Sequence, residues 1–302
     1  MKKILVLLII TAVLLCGCDL FNNRPVATET LQTMPEISDE PSPYPVIIDG
    51  VIISEPPERI TCLSPVLCEI LHEFGEEHRI IGRSDYCDYP AQIRGIQSFG
   101  SGINLEVDRI IKAAPDLLIT SSPVSAMDRK TLELEGIAVV VIPNPKNLDE
   151  FKNVYRIIGV ILHGGFVGEE EGERTFSVIS RVCDNPNVVK LGNFVYITEN
   201  LALATGDTLE SSVISCFGNN LAVSGAGYIY DKSKLLVTQP DVIILNSNYT
   251  IEDLLEDEYY SQLDAVIDER VIIIDNTFFE RPTARIISVI SLLTTEFNAM
   301  RS

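Results

Sequence analysis

The chain has 302 residues, 43 of them acidic and 23 basic, for a net charge of −20 at pH 7. That balance excludes nucleic acid and an anionic lipid surface as partners, because both repel a polyanion; toward small ligands it is neutral. The length suits one large domain or two of ordinary size behind any leader.

Met1, Lys2 and Lys3 make a positive start, and Ile4 to Leu15 form an apolar run broken only by Thr11. This run is shorter than the ~20 residues needed to span a bilayer, and small Gly17 follows it; together they describe an export signal over residues 1–17. LCGC (15–18) resembles the lipobox of bacterial lipoproteins, which implies cleavage before Cys18 and acylation of its thiol. The alternatives are a plain secretory peptide or an uncleaved anchor. Residues 18–56 are rich in proline and acid, with Arg24 as their one basic residue. Such a segment buries too little apolar surface to offset its ordering entropy and is expected to be a disordered tether. VIIDGVII (46–53) is the stretch there with strand character, with Asp49-Gly50 as its turn.

From Pro57 short β-branched runs alternate with amphipathic stretches. ITCLS (60–64) reads as a strand, and Pro65 opens a helix ended by Gly75. RIIG is a second strand. NLEVDRIIKAAP reads as a helix capped by Asn104, and it feeds the strand DLLIT (116–120). MDRKTLELEG is a helix stopped by Gly136, and IAVVVIP (137–143) a strand. After residue 190 the pattern returns: NFVYIT (193–198), the helices SSVISCFG and DKSKLLVTQP, the strand DVIILN (241–246), helical IEDLLEDEYYSQLDAV and the strand VIIID (271–275). AAPDLLIT and TQPDVIIL repeat one device: a helix, Pro-Asp, then an apolar strand. The expected fold is α/β, with mostly parallel sheets in two similar lobes, residues 57–145 and 187–302. LDEFKNVYRIIGVILHGG and GEEEGERTFSVISRVC carry helical apolar spacing between them. One long interlobe helix over 146–186, kinked at His163-Gly164-Gly165, is the preferred reading over two separate helices.

Little chemistry is visible. HEFGEEH (72–78) suggests a metalloprotease, but His72 and His78 are not at the i, i+4 spacing that would share a helix face. No G-x-S-x-G elbow or G-x-x-x-x-G-K-[ST] loop is present, and GSG (100–102) and GAG (225–227) are incomplete as dinucleotide fingerprints. Cys62, Cys68, Cys87, Cys183 and Cys216 match no zinc spacing, and an odd count leaves at least one unpaired. Cys87 has aspartates on both sides, which would raise its thiol pKa. No catalytic residue and no metal site is expected.

ERITCLSPVLCEILHEFGEEHRIIGRSDYCDYP, followed by GSGINLEVDRIIKAAPDLLIT, resembles the N-terminal lobe of the substrate-binding proteins of ABC importers for metal chelates. PDVIIL, AVIDERVIIID and FFERPTARIISVISLL match the C-terminal lobe in order. The resemblance covers nearly all of 57–302. It implies two lobes holding cobalamin, haem or a siderophore in the cleft between them, with SDYCDYP and FER most similar to the cobalamin-binding branch. By that match Ser64, Pro65, Val66, Tyr86, Phe99, Ser101 and Gly102 would form the N-lobe wall, and Tyr228, Phe279, Glu280 and Arg281 the opposite one. Two open points remain at Glu280, which would serve equally as a structural partner of Arg281, and at Tyr89, which would serve as core. The cobalamin branch places tryptophans in its cleft and this chain has none; Phe99 stands near one such place and Tyr228 or Tyr230 near the other. Exposed glutamates of the family dock on the membrane permease. Glu106 matches the first, and Asp231 lies near the place of the second. A haem would find Tyr86 or Tyr228 as axial ligand, and a free metal ion would need converging ligands. The resemblance implies a monomer, anchored to the outer face of the bacterial cell membrane through Cys18, with a corrinoid as ligand, haem or a ferric siderophore as alternatives, and a permease and ATPase as partners. An orphan sensor or scavenger is the reading without transport.

Overall fold

The computed structural model describes residues 43–184 and 190–300. The leader, Cys18 and the tether up to residue 42 lie outside the described residues. The fold begins earlier than Pro57: β1 (Val46–Ile48) and β2 (Val51–Ile53) pair as an antiparallel hairpin around Asp49-Gly50. Tyr44, Val46 and Ile53 are buried, and the Tyr44 hydroxyl donates to the Ile161 carbonyl at 2.7 Å. Three apolar anchors hold a segment whose composition alone reads as tether.

The first lobe contains β3 (Ile60–Cys62), α1 (Pro65–Glu73), β4 (Ile80–Arg83), α2 (Val107–Ala113), β5 (Leu117–Thr120), α3 (Ala126–Leu134) and β6 (Ala138–Val141). The second contains β7 (Gly192–Ile197), α6 (Leu209–Ile214), β8 (Gly218–Asn220), α7 (Leu235–Thr238), β9 (Val242–Asn246), α8 (Ile251–Glu256), α9 (Asp264–Ile267), β10 (Val271–Ile274), α10 (Thr277–Glu280) and α11 (Ile286–Met300). Each lobe has a four-stranded, wholly parallel sheet. The orders are β4-β3-β5-β6 and β8-β7-β9-β10, so both lobes place their second strand first and then run first, third, fourth.

The repeated Pro-Asp device has one physical role in both lobes. Asp116 Oδ2 accepts the backbone N–H groups of Glu58 and Arg59 at 2.7 and 3.0 Å, just before β3, and Asp241 Oδ2 accepts that of Asn193 at 2.7 Å in β7. The residue before each proline, Ala114 and Gln239, is left-handed at φ 49° and 42° and ends its helix.

The connection between lobes is helical where expected but is not one rod. α4 (Leu148–His163) and α5 (Gly165–Cys183) break at Gly164, whose φ of 75° and ψ of 156° no helix tolerates. They fold back as an antiparallel hairpin. Gly159, Gly168 and Gly172 let the backbones touch: a methyl on Gly168 would sit 2.4 Å from the Gly159 carbonyl oxygen. Phe151 and Tyr155 each pack edge-on to Phe176 with centroids 5.3 Å apart, and Arg156–Glu169 (2.7 Å) and Lys152–Glu173 (3.1 Å) pair on the rim.

Three smaller expectations change. α2 starts at Val107 with Glu106 in the cap position, because Asn104 is drawn into a turn by donating its N–H to Ser101 Oγ. The stretch from Ile251 to Val266 breaks where Asp257 Oδ1 accepts the N–H groups of Tyr259 and Tyr260. Strand β8, Gly-Asn-Asn, has no strand signature and forms by pairing with β7. Among the described residues no helix is long and apolar enough to cross a membrane.

Candidate functional site

In a parallel sheet the crevice lies beyond the carboxyl ends of the strands, where the strand order reverses. In the first lobe that point lies between β3 and β5. Ser64 follows β3 and Ser121 follows β5, and their hydroxyls are hydrogen-bonded at 2.8 Å. In the second lobe it lies between β7 and β9, and there Asn246 Nδ2 donates to Glu199 Oε1 at 2.8 Å. Both switch points thus carry paired polar side chains.

Above the first of these opens a cleft of about 300 Å3. Ser64, Pro65, Val66, Tyr86, Ser101 and Gly102 line it, and Glu280 and Arg281 of the second lobe close it. Ser64 also caps α1, accepting the N–H of Leu67, so its oxygen is fixed by the helix it starts. Gly102 sits where a methyl would meet the Leu63 carbonyl at 2.7 Å, so the 101–103 loop requires glycine to lie against β3. Tyr86 is 62% exposed, its ring presented rather than packed.

Two expected lining residues are elsewhere. Phe99 is wholly buried among Leu63, Ile110 and Leu118, against the bare face of Gly82. Phe279 is also buried, with its ring centroid 5.7 Å from that of Tyr196. Tyr228 lines an adjoining hollow of the second lobe together with Glu199, Glu210 and Asn276. Its backbone, left-handed at φ 65°, is held by Thr205 Oγ1, and its hydroxyl donates to Glu210 at 3.2 Å. The hollow joins the cleft through Asn276, whose Nδ2 donates to Glu280 Oε1 at 3.1 Å. Sequence reasoning missed Ser121, Ser122, Asn144, Glu199, Glu210 and Asn276. All but Glu210 follow a strand directly or within a few residues, so the strand-end rule was the signal that could have found them.

The site is acidic. Burial pushes the Glu210 carboxyl above its ordinary range, against hydrogen bonds that favour its ionised form. Burial also raises the Tyr228 hydroxyl to about 12, with Glu210 beside it adding to the shift. The cationic member, Arg281, is paired with Asp88 of SDYCDYP across the lobes at 2.8 Å, so its partner is Asp88 rather than Glu280. Next to it the segment 283–285 is tied to α1. Thr283 Oγ1 and Arg285 donate to Glu69 at 3.1 Å, and the Ala284 N–H donates to Glu73 at 2.8 Å. Tyr89 is exposed beneath the Arg285 guanidinium, 5.0 Å from its ring centroid, and is not core. Cys87 is buried, and hydrogen bonds from Cys68 and Ser84 hold its thiol below the ordinary range, the reverse of what its flanking aspartates suggest. Glu106 pairs with Arg109, and Asp231 accepts from Ser233; both are on the surface, outside the cleft. Among the described residues no three His, Cys, Asp or Glu side chains converge to hold a metal ion.

No family model matches the chain. It is 23% identical over 299 residues to YvrC of Bacillus subtilis, named an uncharacterized ABC transporter substrate-binding lipoprotein, covering 93% of this chain and 91% of that one. It is 22% identical to the vitamin B12-binding protein of Vibrio campbellii, covering 85% and 95%. Among solved structures, a possible iron-binding (periplasmic solute-binding) protein of Staphylococcus epidermidis superposes with a TM-score of 0.66 at 21% identity, over 80% of this chain and 99% of the other. The sequence relatives are binding proteins along nearly their whole length, and the twin 2-1-3-4 sheets with a cleft at their switch points give the matching architecture. Over nearly its whole length the chain is thus similar to substrate-binding proteins of ABC importers, the vitamin B12-binding proteins among them, and these are binding proteins, not enzymes.

Proposed function

We propose that the protein is a lipid-anchored, extracytoplasmic binding protein that captures a corrinoid and passes it to an ABC permease. The observation that carries this reading is the joint placement of Tyr86 and Arg281 on one cleft between the lobes. A corrinoid is a broad plate fringed with amides. Tyr86 offers it a ring face, while the Ser64, Ser101 and Ser121 hydroxyls and the Glu280 carboxylate accept or donate at its rim. Glu199, Glu210 and Glu280 repel the propionates of a haem or the anionic arms of a ferric siderophore, and Arg281 is already neutralised by Asp88. Neutral amides meet no such penalty. A haem is the second reading, favoured by the exposed Tyr86 phenol as an axial ligand.

The lipoprotein name of the Bacillus relative supports a leader over 1–17 and acylation of Cys18. The lobes are assigned to residues 57–145 and 187–302, with the β1–β2 hairpin added to the first. Glu106 and Asp231 are assigned to permease docking, one on each lobe.

Calorimetric titration of the protein with cobalamin, cobinamide, haem and ferric siderophores tests the ligand. Corrinoid binding is expected, and binding of haem alone would refute the choice. Tyr86→Ala should weaken corrinoid binding tenfold or more, about 1.4 kcal/mol, and Arg281→Ala should weaken it similarly. Unchanged affinity in both variants would remove the cleft assignment.

A further inference from the structure

Directly beneath the cleft wall lies a cluster of three thiols that ligand binding does not use. Cys62 ends β3, Cys68 is on α1 and Cys87 is the central residue of SDYCDYP, and all are at most 1% exposed. Cys68 Sγ–H donates to Cys87 Sγ at 3.0 Å, well inside the contact distance of two unbonded sulfurs. A disulfide needs about 2.0 Å, so closing the gap takes a shift of about 1 Å. Cys62 is placed differently: its thiol donates to the Ser64 carbonyl at 3.4 Å, while its own carbonyl accepts from the other two thiols at 3.6 and 3.8 Å.

We propose that Cys68 and Cys87 are a disulfide-forming pair that staples the cleft loop to α1, with Cys62 left as the unpaired thiol. The consequence follows from the neighbours. Cys87 stands between Tyr86, on the cleft, and Asp88, the partner of Arg281. Cys68 precedes Glu69, which holds Thr283 and Arg285. One bond would join the loop that faces the ligand to the helix that anchors the opposite lobe.

The two thiols are unequal in a way that suits exchange. Hydrogen bonds from Cys68 and Ser84 favour the Cys87 thiolate, whereas burial pushes the Cys68 thiol well above its ordinary range. Both sulfurs are buried, so exchange proceeds when the cleft loop opens: with an oxidised low-molecular-weight disulfide such as glutathione disulfide, the Cys87 thiolate then attacks one sulfur and releases one glutathione thiolate. Cys68 then loses its proton and attacks the Cys87 sulfur, forming the protein disulfide and releasing the second glutathione. Two protein thiols are oxidised by two electrons, and the small disulfide is reduced to two thiols. An oxidising compartment rests on the export reading; the reaction with glutathione disulfide does not, so the two fail separately.

The test is thiol mapping on the full chain. The protein is equilibrated with glutathione disulfide, unfolded in alkylating reagent, digested and analysed by mass spectrometry. The expected result is a peptide pair joining Cys68 to Cys87, lighter than the two thiol peptides by two hydrogens, with Cys62 alkylated. Cys62→Ser should keep the link, and Cys87→Ser should leave Cys68 alkylated. Alkylation of both Cys68 and Cys87 in the wild-type chain would overturn the proposal, as would a link from either to Cys62.

Discussion

Glu69 is 2% exposed, yet it carries a carboxylate into the junction between the lobes, where Arg285 and Thr283 reach it. Burial raises its pKa and disfavours the carboxylate, while Arg285 opposes that shift and favours it. Removing one member of such a pair costs more than the pair contributes, since the other is left desolvated. Arg285→Ala should therefore lower unfolding free energy by about 3 kcal/mol in urea titration, whereas Glu69→Gln, which keeps an acceptor for Thr283, should cost less. Equal losses in the two variants would mean that the charge pairing contributes little. At this scale the sequence was only partly legible. Tyr86, Glu280 and Arg281 were singled out because the short segments around them resemble a known pattern, and the structure brings the three onto one cleft. Phe99 and Phe279 were misplaced because composition cannot say which face of a strand end or short helix an aromatic ring takes, and Gly82 leaves the space that draws Phe99 inward. The cross-lobe partners are separated by about two hundred positions in sequence, so no local pattern announces them.

At the scale of elements, alternation of β-branched runs and amphipathic stretches was enough for most strands and for the parallel sheets, because central strands such as β5 and β9 are buried on both faces and read as unbroken apolar runs. It was not enough for the connector. Helical periodicity runs through α4 and α5 alike, and the fold-back depends on Gly164 together with three glycines whose spacing is read only once the helices are side by side. The two backbones are in contact there, so added volume has nowhere to go. Gly168→Val should destabilise the protein by about 2 kcal/mol or more, through forced separation of the helices at Gly159. Gly95→Ala, where a methyl meets nothing within 4 Å, serves as the control and should be near neutral. Chemical denaturation of both variants checks the difference. If Gly168→Val melts like the wild type, the hairpin is not tightly packed.

The whole molecule carries a net charge of −20, and three of its carboxyl groups, Glu69, Glu73 and Glu210, have native pKa values raised chiefly by burial above the ordinary 4.5. A group that binds its proton more tightly folded than unfolded favours the folded state as pH falls, and that gain is lost as pH rises through the native value. Arg285 and Thr283 at Glu69, the Tyr155 hydroxyl and Ala284 N–H at Glu73, and Tyr228 at Glu210 temper these shifts without reversing them. Asp207, Asp231 and Asp257 act in the opposite direction. Their native values lie below the ordinary 3.8, so their contribution is present above it and is lost as acid titrates them. Stability should therefore rise on acidification from neutrality toward 4.5 and fall again below 3.8. Relief of general repulsion among exposed acids predicts the same rise, but it is screened at 1 M salt, where the Debye length is about 3 Å, whereas burial is not. Thermal melting from pH 7 to 3 in 1 M salt separates the two: the rise should persist in the wild type and shrink in Glu73→Gln and Glu210→Gln. A midpoint that declines steadily from pH 7 downward would mean that the ion pairs of the exposed acids, not the buried carboxyl groups at the lobe junction and the cleft, govern the response to acid.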